Sequence, residues 1–479
     1  MTYSIMVVLI TTDDVIGVRI TLCRMLLTTL VTYIVYLAYN PTNTQHLNRL
    51  AVIALLFTMY LAWECLGIEY SSITIFNDWF AYTPGNSPII ILLIFLVLSL
   101  LIYGTITPRY NLSNQWIALL MVINLIGLIL LPMVNDLIPL YVVIELQSYS
   151  LYLLTGIYNK SYNATRGAIL YFVTGGIASV LILLSSAEVY QQTGLTNLSE
   201  LSTYYTFHNQ YTFNSFDILL AGLIFKMGLA PLHAWSIAVY SYTPTYITAY
   251  ISIVAKVSIM SFIYIHISLF NTQLLLTTFY LSIAVAAYTP LYQVTLKSIL
   301  AYSGILNFGY LITAVALGDQ AYYLYIIQYS LTHVLIFYCI LAIAEYTAHP
   351  ASQWSPIVNV NHLVVPNKTL CLIFILCLFS LIGIPPLPGF YGKYYVIVAL
   401  MDSGLYLEGL AIIVFSVIAT YYYAYIIKQL ASNLITSTIT TQPVLSSSIA
   451  LIISIYAVIL TGLFLALPTL LEGITLLTN

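Results

Sequence analysis

Four ionisable side chains, Glu145, Lys226, Lys256 and Lys393, each interrupt an apolar stretch long enough to cross a lipid bilayer. A charge at bilayer depth costs about 2.5–3.5 kcal/mol per residue on insertion scales. A chain that keeps four of them is expected to use them. Inside hydrocarbon every backbone polar group must find its partner within the protein, which leaves helices as the building element for such stretches. Hydrophobic residues make up 61% of the 479 residues and charged residues 6%, against about 25% charged in an average soluble domain. Mean hydropathy is +0.98. The fold class is therefore an all-α polytopic membrane protein.

The same composition excludes several functions. A net charge of −3, dispersed along the chain, does not suit nucleic acid. The five cysteines, Cys23, Cys65, Cys339, Cys371 and Cys377, lie scattered in apolar runs without a CxxC pair. They read as small buried hydrophobes rather than iron–sulfur or zinc ligands. No Walker A, GxGxxG or metal-ligand cluster is visible, and no nucleophile–base pair has a recognisable spacing, so no nucleotide or redox centre is expected in this chain. The first residues, MTYSIMVVLITTDD, are neither Arg-rich and amphipathic nor led by basic residues, so the helices themselves are expected to direct membrane insertion. An abundance of Tyr (44), with Ile, Leu and Thr, matches an A+T-rich genome such as a fungal mitochondrial one.

A span needs about 20 apolar residues. The sequence offers about fourteen: 20–39, 47–66, 87–108, 115–133, 136–158, 165–189, 215–235, 245–268, 274–295, 299–317, 320–345, 369–400, 405–427 and 443–467. Residues 1–12 could add a short helix, 70–85 read as a β-like or interfacial loop, and 190–214 and 346–367 read as the longest loops on opposite sides. Threading these spans sorts the charges. One side receives Arg49, Arg109, Lys160, Arg166, Lys297, Lys368 and Lys428, with Glu345 its only acid. The other receives Asp78, Asp136, Glu188, Glu200, Asp217, Asp319, Asp402, Glu408 and Glu472, with Arg19 and Arg24 at the start of the first span. The positive-inside rule assigns the basic side to the matrix or cytoplasm and both termini to the opposite face.

Two spans are broken. The seventh reads LIFKMGLAPLHAW, with Gly228 and Pro231 in mid-helix; the twelfth reads FSLIGIPPLPGFYGKYY, with Pro385, Pro386 and Pro388 among three glycines. Proline removes a backbone donor and clashes with the preceding turn. Such breaks persist at membrane depth where they line a cavity or are buried in protein. Counting five spans from the fourth and five from the ninth puts a break in the fourth member of each set. Opposite starting sides and matching discontinuous helices suggest two inverted five-helix repeats, an architecture of many ion transporters. The expected domains are 1–110 (helices 1–3), 111–270 (first repeat), 271–430 (second repeat) and 431–479 (helix 14).

Glu145 lies mid-span in the fifth helix and Lys226 beside the break of the seventh, so the two are expected to attract strongly across low dielectric. Lys256 lies mid-span near Ser252 and Ser258, and Lys393 follows the second break. Taking an ammonium out of water favours its neutral form and a facing carboxylate favours its charged form, so lysines under both influences suit a proton relay. For each alone, a structural ion pair or a snorkelling side chain is the alternative. His233 and His333 are either relay groups or satisfied interhelical hydrogen bonds. Lys297 is a loop anchor or a relay entrance at the basic face.

Three segments carry a resemblance: FKMGLAPLHAWSIAVY at 225–240, AYSGILNFGYL at 301–311, and SLIGIPPLPGFYGKYY at 380–395. With TRGAILYFVTGGIASVLILL at 165–184, they resemble the antiporter-like membrane subunits of respiratory complex I, in order, from about residue 90 to 430. Three features separate it from the chain 4 and chain 5 branches of that family. WSIAVY follows His233, Lys393 stands where chain 4 typically has Glu, and no long C-terminal extension follows. The sequence departs from the family where Ser236 leaves the HxWxPD form unmet and where Ser303-Gly304 replaces a common Ser-Ser.

The resemblance implies fourteen helices with two inverted repeats and a proton relay on Glu145, Lys226, Lys256 and Lys393. It implies membership of a proton-pumping NADH:ubiquinone reductase in the mitochondrial inner membrane, with both termini in the intermembrane space. NAD, FMN, iron–sulfur clusters and ubiquinone would then sit in partner subunits and no cofactor in this chain. Its partners would be the other membrane-arm subunits, including antiporter-like chain 4, and membrane lipid. A subunit of a multisubunit cation/proton antiporter and a purely structural membrane spacer are the alternatives.

Overall fold

The computed structural model describes residues 15–39, 44–64, 73–106, 116–157, 161–208, 215–346, 360, 363, 365, 367–436 and 447–478. The possible helix at 1–12, most of 346–367, and Arg109 and Lys160 lie outside these residues. The described chain is helical apart from one hairpin. Helices α1 (Val15–Tyr39) and α2 (Thr44–Glu64) precede strands β1 (Ile73–Ile75) and β2 (Phe80–Tyr82), and α3 (Asn86–Ile106) follows. The strands pair antiparallel with Ile73 opposite Tyr82, across a turn in which Phe76, Asn77 and Asp78 all have positive φ.

A central set comprises α4 (Trp116–Leu130), α5 (Leu137–Gly156), α6 (Tyr162–Thr193), a short α7 (Leu198–His208), α8 (Ser215–Met227), α9 (Ala234–Tyr242) and α10 (Thr245–Ile265). The next comprises α11 (Thr272–Tyr288), α12 (Leu296–Leu317), α13 (Asp319–Tyr346), α14 (Lys368–Ile382), α15 (Pro388–Asp402) and α16 (Tyr406–Thr436), before α17 (Ser447–Gly462) and α18 (Leu467–Thr478). Side-chain oxygens of Asp136, Asn271 and Asn367 accept the first free N–H groups of α5, α11 and α14, and Gly194 and Gly383 end α6 and α14 in the left-handed region.

Among the described residues ten helices are by themselves long and apolar enough to cross a membrane, or eleven if α17 and α18, bent by 77°, form one span. The others expected to span are α1, of which Met25–Tyr39 is the apolar part, and the two broken helices. The segment 190–214 differs from the expected loop. Helix α6 runs on to Thr193, and 198–208 form α7, because Asn197 Oδ1 accepts from the Ser199 and Glu200 amides and starts a new helix.

Burial sorts the helices. The α10 and α13 spans are each 94% buried and α12 is 89%, whereas α6 and α16 are 33% buried and turn most of their surface outward. Helix α13 is the hub, packing against α3, α10, α12, α14, α15, α17 and α18. The two broken helices therefore end against a continuous core of α10, α12 and α13.

One end of the bundle is stitched around Asp136. Its Oδ2 accepts from Thr196 Oγ1 at 2.8 Å, Asn135 N donates to Trp79 O of the hairpin at 2.9 Å, and His266 Nε2 contacts Val134 O at 3.0 Å. These bonds join the hairpin, the short 3-10 turn Leu131–Met133, the α6–α7 connection and the end of α10 at the face expected to be acidic.

Candidate functional site

The first break follows Lys226. Helix α8 stops at Met227, and Gly228 adopts φ +66°. A Cβ at Gly228 would lie 2.7 Å from Ser236 Cβ, so the two half-helices pack too closely there for any larger residue. The freed backbone groups find partners: Trp235 Nε1 donates to Phe225 O at 3.0 Å, and Leu229 N donates to Ile224 O at 3.2 Å. The Trp235 ring stacks on Tyr171 of α6 with centroids 5.2 Å apart. These bonds brace the break, which holds Lys226 in the last turn of α8, where the helix dipole favours a cation.

Lys226 Nζ lies 3.2 Å from Glu145 Oε1 and 3.3 Å from Ser148 Oγ. Both partners are on α5, and the two charged side chains are only 7% and 13% exposed. Helix α5 is held in register by a polar network that the sequence did not single out. Gln147 Nε2 donates to Gly127 O at 2.7 Å and to Ser258 Oγ at 3.3 Å, and Asn124 Nδ2 donates to Gln147 O at 2.9 Å. Tyr250 Oη donates to Asn124 Oδ1 at 2.7 Å. Glu145 and Lys256 each sit two residues from a member of this network, which ties α4, α5 and α10 together.

Lys256 is 3% exposed. Its Nζ lies 5.4 Å from the Tyr240 ring centroid and 5.3 Å from that of Phe308, and it has no hydrogen bond or ion pair among the described residues. Two aromatic faces are an electrostatic partner for an ammonium, but a weaker one than a carboxylate. His333, 2% exposed, is its titratable neighbour on α13. The imidazole lies between the rings of Tyr329 (centroids 5.4 Å) and Phe337 (4.9 Å). Its Nδ1 has no partner among the described residues.

The second break is built differently. Gly383, at φ +91°, ends α14, and Gly389 packs so tightly on the Ser380 carbonyl that an added Cβ would collide with it. Lys393, on α15, reaches back across the break and donates to Leu381 O at 2.8 Å and Ile382 O at 2.9 Å, the last carbonyls of α14. A cation at a helix C-terminus is favoured by the same dipole as Lys226. The Tyr310 ring lies 5.8 Å from its Nζ.

The remaining expected residues are placed less centrally. Lys297 is buried in the first turn of α12 and donates to Thr243 O at 2.8 Å, so it caps α9, the second half of the first broken helix. That contact links the start of α12 to the end of α9. His233 is half-buried in the first break, its Nδ1 3.2 Å from Pro231 O and its ring 6.2 Å from Tyr302. The structure brings Glu145 to Lys226 and His333 to Lys256; it leaves Lys393 bonded to backbone alone.

Sequence reasoning passed over a group of buried tyrosines on α12, α13 and α16. The hydroxyls of Tyr310, Tyr329, Tyr422 and Tyr423 are buried and have no hydrogen-bond partner among the described residues. On α13 a signal existed, since Tyr325, Tyr329 and His333 recur every four residues on one helix face. The abundance of Tyr throughout the chain hid it. Among the described residues no cluster of His, Cys, Asp or Glu could hold a metal ion.

Comparison with known proteins gives a consistent set. Residues 134–420 match the family model described as NADH:quinone oxidoreductase/Mrp antiporter, TM. The chain is 74% identical to NADH-ubiquinone oxidoreductase chain 2 of Candida albicans, over 98% of this chain and 100% of that one. It is 46% identical to the protein of the same name from Debaryomyces hansenii, over 90% and 95% of the two chains. Among solved structures it is similar in fold to a chain of respiratory complex I from Thermus thermophilus with bound aureothin. That match has a TM-score of 0.78 at 22% identity, over 94% of this chain and 98% of that chain.

Proposed function

The chain belongs to the NADH:quinone oxidoreductase/Mrp antiporter membrane family, and on that premise we propose that it moves protons along a buried line from Glu145–Lys226 through Lys256 and His333 to Lys393. It is a proton-translocating, antiporter-like membrane subunit of respiratory NADH:ubiquinone oxidoreductase, a multi-pass protein of the mitochondrial inner membrane. The observation that carries the relay is the buried Glu145–Lys226 pair beside a broken helix, with a second buried lysine, Lys256, that has no carboxylate partner among the described residues.

In this reading the redox chemistry, with its NAD, FMN, iron–sulfur clusters and ubiquinone, belongs to partner subunits, and this chain is catalytic only as part of the translocase. Energy arrives as an electrostatic or conformational change at one end of the chain. Lys226 holds a proton more tightly when Glu145 is close and less tightly when the pair opens. The released proton passes laterally to Lys256 and then to Lys393, which delivers it toward the acidic face. Water completes the gaps, because single side chains do not span these distances.

The architecture proposed with it has fourteen spans, counting α1, the two broken helices and the α17–α18 pair as one span each beside the ten continuous ones. Two inverted repeats, over 111–270 and 271–430, follow 1–110 and precede 431–479. A break in the fourth member of each five-helix set supports this division. Both termini then face the intermembrane space, with antiporter-like chain 4 among the membrane-arm neighbours.

Lys226→Met tests the relay. The assembled complex should form in near-normal amount and oxidise NADH with its proton yield reduced. Full pumping in that variant would sink the assignment.

A further inference from the structure

Resting on that reading, we propose that Ser148 is the second seat of the Lys226 ammonium, the group that receives it when it leaves Glu145, and that Tyr152 is the positioning residue that holds this seat in place. Lys226 Nζ lies 3.2 Å from Glu145 Oε1 and 3.3 Å from Ser148 Oγ, so it stands almost evenly between a carboxylate and a hydroxyl. The two partners are three residues apart on α5 and share one helix face. Ser148 is buried, and its hydroxyl hydrogen is committed to its own helix, donated to Ile144 O at 2.9 Å with Glu145 O at 3.1 Å. A serine hydroxyl has one hydrogen and two lone pairs, so toward Lys226 this one acts as an acceptor. A neutral acceptor holds an ammonium less strongly than a carboxylate does. Moving from Glu145 to Ser148 therefore loosens the proton while the nitrogen keeps a hydrogen bond and its place against α5. The proton leaves along the proposed line, and the neutral amine that remains still donates to Ser148.

Tyr152 follows Ser148 by one turn of α5, with its hydroxyl directed toward Ser148 and within the field of Glu145. Tyr141 and Tyr149 also act on Glu145 from α5, but Tyr149 is exposed whereas Tyr152 is buried. What encloses Tyr152 is a notch in α6. A Cβ at Gly175 would lie 1.8 Å from the Tyr152 hydroxyl oxygen, so a side chain at 175 would occupy the hydroxyl's place. At Gly176, the next residue, a Cβ would meet nothing. The Tyr152 ring packs edge-on against Tyr171 of α6 with centroids 4.8 Å apart, and Tyr171 stacks on Trp235. Trp235 donates to the carbonyl of Phe225, the residue before Lys226. One aromatic array thus ties the Ser148 seat to the helix end that carries Lys226, so the two keep their spacing as the pair opens.

The test uses the assembled complex, with proton translocation and NADH oxidation measured together. Ser148→Ala should assemble and oxidise NADH while pumping falls about tenfold, the effect of one lost hydrogen bond to a charged group. Ser148→Thr, which keeps the hydroxyl, should restore most of the rate. Tyr152→Phe should slow pumping about threefold in the parent chain and have no further effect in Ser148→Ala, because it acts through that hydroxyl. Gly175→Ala should match Tyr152→Phe, and Gly176→Ala should match the parent. Normal pumping in Ser148→Ala, or failure of Ser148→Thr to improve on it, overturns the seat. An undiminished effect of Tyr152→Phe in Ser148→Ala, or equal rates in the two glycine variants, overturns the role of Tyr152. If Ser148→Ala pumps normally while Lys226→Met does not, the seat is lost and the relay stands. If Lys226→Met also pumps normally, the relay reading itself has failed.

Discussion

Replacing Lys256 by Met keeps a side chain of similar length and removes an ammonium that faces the rings of Tyr240 and Phe308 and has no hydrogen bond or ion pair among the described residues. A buried charge without a partner is a cost to the fold, so Lys256→Met should leave the thermal stability of the assembled complex unchanged or raise it. Proton translocation should nevertheless fall. A structural spacer would show the reverse, with stability lost and protons per electron kept. Lys393→Met differs, because that lysine is the partner of the Leu381 and Ile382 carbonyls. Leaving both unsatisfied should destabilise by about 1–3 kcal/mol, read as a lower melting temperature beside the loss of pumping. Two lysines with one proposed role thus separate in a stability measurement, because one is bonded and the other is not.

The breaks are the elements on which the site depends. Helix α14 ends at Gly383 and α15 folds back so that Gly389 sits on the Ser380 carbonyl, which brings Lys393 to the helix end. Gly389→Ala should push the two halves apart and cost about 1–3 kcal/mol, whereas Gly462→Ala, with open space around it, should be neutral. Thermal unfolding of both variants checks the difference. The end of α10 gives a pH signature outside the membrane spans. Burial pushes the His266 imidazole down from its ordinary 6.5 to about 4, and the hydrogen bond with Val134 O opposes that shift only in part. The unfolded chain then takes up the proton first. Stability from this group is complete above about pH 6.5 and is lost as pH falls through about 4, in total about 3 kcal/mol. Melting temperature should drop between pH 7 and pH 5, and His266→Gln should flatten that slope; an unchanged slope would mean the imidazole is not held neutral.

At the scale of the whole molecule, α6 and α16 turn most of their surface outward while α10, α12 and α13 are enclosed, so the proposed relay residues Lys256 and His333 lie in the best-packed part of the bundle. The chain is expected to migrate with a large NADH-oxidising assembly when the source membrane is separated under mild detergent. Migration in a smaller, NADH-silent assembly would favour the cation/proton antiporter alternative. Apolar runs of bilayer length made the helices legible in the sequence. Hydrocarbon leaves the backbone no other way to satisfy its polar groups, and buried lysines stand out against such a background. Proline and glycine clusters likewise announced both breaks, since they forbid a continuous helix. The sequence led to the expectation that Lys226 faces Glu145, and the two side chains meet. That Lys393 bonds to backbone was not legible in it, because it depends on how α14 and α15 pack across the break. That Lys297 caps α9 depends on contact between helices some fifty residues apart. The tyrosine hydroxyls became visible only when α12, α13 and α16 were brought together, because an unsatisfied polar atom is a property of its surroundings and not of its residue type.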